Sequence, residues 1–212
     1  MTRNLTILGL AALTASSALA QLNITGSMAE ISAPSTVSQG NDLATMPEDN
    51  QLIYAFKEKF DHVLSADVDV DLSAVGDSFV AGTNTPGTVS AGTAVDSYFF
   101  HGDPEGAASS PIYNYDATVV FPQDILGVIV TSGNLSGSNG ELGAAGTSYL
   151  TSHPLEGGDL VEWVDARTLR FHYEITTATD NVRVLTAPVP EPATMIALGA
   201  GLIGLAARRR KK

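Results

Sequence analysis

Apolar and polar residues alternate most cleanly at residues 168–176, "TLRFHYEIT". Leu169, Phe171, Tyr173 and Ile175 fall on one side of an extended chain; Thr168, Arg170, His172, Glu174 and Thr176 fall on the other. A period of two over this length predicts a strand with one buried and one wet face, whereas a helix would scatter the apolar set around its circumference. "LVEWV" (160–164) precedes it across "DAR", which predicts a hairpin. "NVRVLT" (181–186) follows as a further strand. "ATVVF" (117–121) and "ILGVIV" (125–130) are nearly continuous apolar runs, the pattern of central strands covered on both faces. "AVDSYFFH" (94–101), "SADVDVDLS" (65–73) and "QLIYAFKEKF" (51–60) also read as strands, the last because Leu52, Tyr54 and Phe56 alternate.

Segments rich in Gly, Ser, Thr, Asn and Pro separate these runs at 32–50, 82–93, 102–111 and 132–148 and are predicted loops. About nine strands with no strong helix predict an all-β domain, a single antiparallel two-sheet β-sandwich of jelly-roll-like form.

The two ends break this pattern. Residues 1–20, "MTRNLTILGLAALTASSALA", have the layout of a secretory signal peptide: Arg3, a short apolar stretch from Leu5 to Leu13, and the small residues Ala18 and Ala20 before the cut. Cleavage leaves Gln21 first and a domain over 21–187. The tail, 188–212, begins in a proline-rich stretch with Pro188, Pro190 and Pro192. An apolar run from Ala193 to Ala207 follows, and Arg208, Arg209, Arg210, Lys211 and Lys212 close the chain. As a helix the apolar run spans about 22 Å against a hydrocarbon core of about 30 Å, so it predicts a marginal membrane helix. The basic cluster would hold its cytoplasmic side, leaving the domain outside. Proline-rich chain stays extended, so an enzyme at the membrane could reach it.

Charge follows the same division. Residues 21–188 hold five bases against 22 acids, near −17. Phosphate backbones need clustered Lys and Arg, so nucleic acid is excluded as a partner. The chain has no cysteine, which removes thiol chemistry and cysteine metal sites.

"VPEP", formed by Val189, Pro190, Glu191 and Pro192, then the short apolar run and the terminal basic cluster, resembles the PEP C-terminal (PEP-CTERM) sorting signal processed by exosortases. The resemblance covers the last 24 residues, 189–212. It implies a Gram-negative, often polysaccharide-producing bacterium. It also implies transient anchoring in the inner membrane, cutting near Pro190–Pro192 and release to the cell surface or matrix. Signal peptidase and an exosortase are then the processing partners. "GTAVDSYFFHGDP", "DILGVIV", "RTLRFHYEIT" and "DNVRVLTAPVPEP" resemble a recurrent ectodomain found ahead of such tails, a resemblance that implies fold and address but no activity.

Chemistry inside the domain is sparse. "DVDVD" puts Asp67, Asp69 and Asp71 on one strand face, where three carboxylates could gather Ca²⁺ with loop oxygens; the same pattern suits a plain wet face beside Val68, Val70 and Leu72. Leu72 and Ser78 stand where an EF-hand loop needs Gly and Glu. His62, His101, His153 and His172 are scattered, and His101, close to Asp103 and Glu105, is the candidate among them. There is no Gly-x-Ser-x-Gly and no phosphate loop. Tyr98, Tyr113, Tyr115 and Trp163 are the candidates for stacking on sugars, although Trp163 shares a strand face with Val161. The expectation is a non-enzymatic protein of the cell surface or extracellular matrix. The alternative is a carbohydrate-binding module for exopolysaccharide, with Ca²⁺ as its only candidate cofactor.

Overall fold

The computed structural model describes residues 21–38, 48–80, 85–105, 112–150, 153–175 and 179–189. They belong to one compact unit, Ala20–Val189. The predicted signal segment and the predicted membrane helix lie outside the described residues. Among the described residues no helix is long and apolar enough to cross a membrane.

Two five-stranded sheets carry the fold. The first is ordered β1 (Asn23–Gly26), β9 (Tyr113–Val120), β13 (Thr168–Ile175), β12 (Leu160–Asp165) and β6 (Ser78–Val80), antiparallel throughout. The second is ordered β10 (Ile125–Ile129), β14 (Asp180–Thr186), β8 (Ala94–Gly102), β4 (Ile53–Val63) and β2 (Met28–Glu30). Its pairs are antiparallel except β2, which runs parallel to β4. The chain crosses between the sheets at β8–β9, β9–β10 and β13–β14, so each sheet is assembled from distant segments. At the β1–β2 crossing, Gly26 adopts φ +92°, and a Cβ there would stand 2.2 Å from the Asp116 carbonyl oxygen. No other residue fits that corner.

Alternation decides which side chains meet. The predicted inward set of β13 is buried and faces Val119, Tyr98, Phe100, Val182 and Val184 in a core shared by both sheets. Phe100 and Phe171 close the gap with ring centroids 4.9 Å apart. The β12–β13 hairpin forms as predicted.

The structure departs from the sequence reading in several places: the predicted loops at 32–50 and 82–93 contain short strands at Thr36–Val37 and Gly87–Val89, the expected antiparallel arrangement is broken where β2 runs parallel to β4, and two strands read as central are placed differently. β9 is central but alternates buried and exposed, so only one of its faces is covered. β10 is an edge strand of its sheet rather than a central one. It remains buried because Leu72 bridges to Val128 across the open edge.

The second sheet is covered on its outer face too. A helix α1 (Ser132–Leu142), the β5–β7 pair (Val68–Val70 with Gly87–Val89) and the β3–β11 pair (Thr36–Val37 with Ser148–Tyr149) pack there. A second apolar cluster including Phe56, Phe99, Ile129, Leu135 and Leu185 fills the space. The far half of β4, beyond its pairing with β2, is irregular. Asp61 takes φ +42° and Lys57 pairs with Asp96 at 2.5 Å. Bulges and charge of this kind blunt an open edge.

Phe171→Ala removes a ring from the shared core and is expected to cost about 3–5 kcal/mol. Denaturant unfolding followed by fluorescence of Trp163, the single tryptophan and 3% exposed, measures it.

Candidate functional site

The segment predicted as a loop at 132–148 contains α1, and the sequence gives little reason for it. "SGNLSGSNGEL" carries three glycines and three serines, poor helix formers. Its N-cap Thr131 makes no side-chain cap bond. Two buried charges from elsewhere hold the helix in place.

The first is Arg183 on β14. Its guanidinium grips Glu58 of β4 in a two-pronged pair, Nε to Oε2 at 2.7 Å and Nη2 to Oε1 at 2.8 Å. Both side chains are fully excluded from solvent. The other donors reach α1: Nη1 to the Leu135 carbonyl at 3.0 Å and Ser138 Oγ at 2.6 Å, Nη2 to Asn139 Oδ1 at 2.9 Å. All five guanidinium donors are thereby satisfied. Glu58 also accepts from Ser97 Oγ at 2.7 Å and from the Tyr149 hydroxyl. Arg183 lies against both the Phe99 and Tyr149 rings, 5.2 and 5.4 Å from their centroids, which are themselves 5.3 Å apart. Burial pushes its pKa down, but Glu58 outweighs this and the net shift is upward. Burial, and then the Glu58 charge, push the Tyr149 phenol well above its usual range. A buried charge pair survives only when its lone pairs and protons are met, and here they are.

The second is Asp71, 2% exposed. Its carboxylate accepts from the Val130 and Thr131 N–H groups, both at 2.8 Å, from Thr131 Oγ1 at 3.0 Å and from Asn134 Nδ2 at 2.8 Å. A negative charge at the start of a helix complements its dipole.

The candidate metal set therefore comes apart. Asp71 is occupied at the helix start, past the end of β5. Asp67 and Asp69 are exposed, accepting from the Ala91 N–H at 2.8 Å and from Thr88 Oγ1 at 3.1 Å. Among the described residues no group of three or more His, Asp or Glu is placed to hold a metal ion.

Asp67 and Asp69 instead line a groove of about 400 Å³ beside α1, with Gly133, Asn134, Gly137 and Glu141. The Ser65 hydroxyl and N–H, both at 2.6 Å, draw the Glu141 pKa down to about 2, and His62 at 2.8 Å adds to this. The groove is acidic and rich in hydrogen-bond acceptors.

At the opposite end of β14, Asp180 is buried, and burial followed by the Asp159 and Glu156 charges pushes its pKa up to about 9. Asp159 accepts from the Glu174 N–H at 2.8 Å and the Glu156 N–H at 2.6 Å, tying the 156–159 turn to β13. His101, at the end of the strand predicted at 94–101, lies within β8 and is fully buried. Its Nδ1 meets Asn181 Oδ1 at 2.7 Å and its Nε2 lies 3.8 Å from Asp103.

The sugar-stacking candidates are core residues. Tyr98, Tyr115 and Trp163 are buried, and Tyr113 packs half-buried against the same cluster. Phe60 alone among the chain's aromatics is exposed. The signal-cleavage residues Ala18 and Ala20, the motif residues Pro190, Glu191 and Pro192, and the basic cluster 208–212 lie outside the described residues.

The tail is the part of the chain with a known counterpart. Residues 188–211 match the PEP-CTERM protein-sorting motif, so the chain carries a sorting signal processed by an exosortase. The motif implies export and sorting to the surface. No curated protein and no solved structure matches the chain.

Two predictions follow from the buried charges. Arg183→Leu strands Glu58 and is expected to destabilise the domain by about 3–5 kcal/mol in urea unfolding, while Arg183→Met combined with Glu58→Leu recovers part of the loss. Asp180 keeps its proton in the folded state when the unfolded chain, with pKa 3.8, has released it. Stability therefore falls as pH rises from about 4 to about 9 and then levels. Asp180→Asn is expected to flatten that slope and raise the melting temperature at pH 8, read by thermal unfolding across pH.

Proposed function

We propose that this chain is an exported, non-enzymatic protein of the cell surface or extracellular matrix, handled as cargo by an exosortase. The sorting motif at 188–211 carries the reading. The signal-like residues 1–20 supply entry to the export route. In this reading the tail holds the chain briefly in the inner membrane of a Gram-negative cell, is cut near Pro190–Pro192, and frees the domain. The residues of the tail are substrate; the cutting chemistry belongs to the exosortase.

An architectural role for the domain is supported by where its strongest polar groups are directed. Arg183, Glu58 and Asp71 are buried and bound to α1, the sheets and one another. A strong charge near −17 over 21–188 favours solubility in a hydrated polymer and repels like-charged neighbours. The carbohydrate-binding alternative loses its stacking faces to the core, which leaves the acidic groove as its only support.

Intact mass spectrometry of surface and membrane fractions, with and without the host exosortase, tests the reading. The expected product starts at Gln21 and ends between Val189 and Pro192, and disappears without the exosortase. Any added mass on the new C-terminus would identify an attachment. A species retaining Lys212 in both strains would reduce the tail to a permanent anchor.

A further inference from the structure

Almost no chain separates the last strand from the sorting motif. β14 ends at Thr186, and the Ala187 N–H donates to the Asp124 carbonyl at 2.8 Å. Pro188 and Val189 are half-buried. Extended chain covers at most about 3.6 Å per residue, so three residues beyond Ala187 can reach no more than about 11 Å and five no more than about 18 Å. A cleft gripping Val189–Pro192 would itself span about 14 Å of extended chain. A protein of even 100 residues has a radius of gyration of about 13 Å. No enzyme of that bulk closes on the motif without meeting the end of the sandwich.

That end is a defined surface. The Phe121 N–H donates to the Arg167 carbonyl and the Ile125 N–H to the Ala166 carbonyl, both at 2.8 Å. Together with the Ala187 bond they join the 121–125 connection, the β12–β13 turn and the chain exit. Arg167 Nε pairs with Asp124 Oδ1 at 2.9 Å, both side chains more than half exposed. Val120 and Val164 are exposed beside them, 38% and 48%. A lipid surface is the other body near a membrane-held tail, and charge disfavours it. The domain carries 22 acids against five bases, and the one arginine of this turn is already paired.

We propose that the surface formed by residues 121–125 and 164–168 docks against the exosortase while the motif occupies its cleft. The proposal rests on the sorting reading above. It makes the folded domain part of what the enzyme recognises.

The chain's lack of cysteine makes the test direct. Full-length Arg167→Cys and Ile112→Cys are each labelled with a photoactivatable maleimide and mixed with exosortase-containing membranes. Ile112 is exposed and adjoins Tyr113, which pairs with Ile175 at the far end of the sheet. The expected result is an exosortase adduct from position 167 and its loss at position 112. A Gly-Ser insertion of roughly twelve residues between Ala187 and Pro188, spanning about 19 Å, is expected to abolish the adduct while cleavage continues. Normal cleavage with no adduct at 167, equal adducts from both positions, an adduct that survives the insertion, or adducts with lipid alone would each overturn the docking surface. Wild-type chain that keeps Lys212 in the presence of exosortase would instead overturn the sorting reading beneath it.

Discussion

The pairing of Arg183 with Glu58 joins the second sheet to the helix and to the β11 strand that cover it. The two residues lie 125 positions apart, on β14 and β4, with β8 between them. Removing two charges from water costs several kcal/mol each, so the site is tolerable only when complete. Completion requires Ser97 from β8, Tyr149 from β11 and three groups from α1. A side chain missing from any of these elements leaves a buried charge short of a partner. The network therefore selects one arrangement of the covering layer over the sheet.

The same logic explains a helix built from serines and glycines. Local propensity for α1 is poor, and its stability comes from contacts at both ends and the middle. Asp71 meets its first turn, Arg183 binds its centre, and Glu141 ties its last turn to Ser65 and His62. The glycines leave open space on the groove side, since a Cβ at Gly133 or Gly137 would meet nothing within 4 Å. The acidic groove is a by-product of this anchoring as much as a feature of its own.

β14 connects architecture to sorting. It is the last strand among the described residues, yet it lies between β10 and β8 and every one of its residues is buried. The second sheet cannot close without residues 180–186, and folds rich in pairings this distant in sequence form slowly. The sorting motif begins two residues beyond that strand, at Pro188. The strand that completes the second sheet and the start of the sorting motif are thus adjacent along the chain.

Much of the fold was legible from local pattern. The alternation at 168–176 and the hairpin before it depend on side chains spaced two apart, and the structure keeps them; the strand read at 51–60 forms as Ile53–Val63, but both of its faces are covered, Ile53 and Ala55 in the shared core and Phe56 in the second cluster. The sorting tail was legible because its parts are contiguous and ordered. What could not be read was every feature whose partner lies far away. Asp71 looked like its neighbours Asp67 and Asp69 until a helix 60 residues later turned it inward. Arg183 looked like one polar position in a short strand, and Tyr98 and Tyr115 looked available to stack on sugars until the core enclosed them. The sequence alone determined most of the long strands and the sorting of the chain, because periodicity and contiguous signals are local. Only the tertiary structure decided which charges are buried, where a helix forms against its own propensity, and which end of the domain stands beside the motif, because those depend on contacts between residues that the chain keeps far apart.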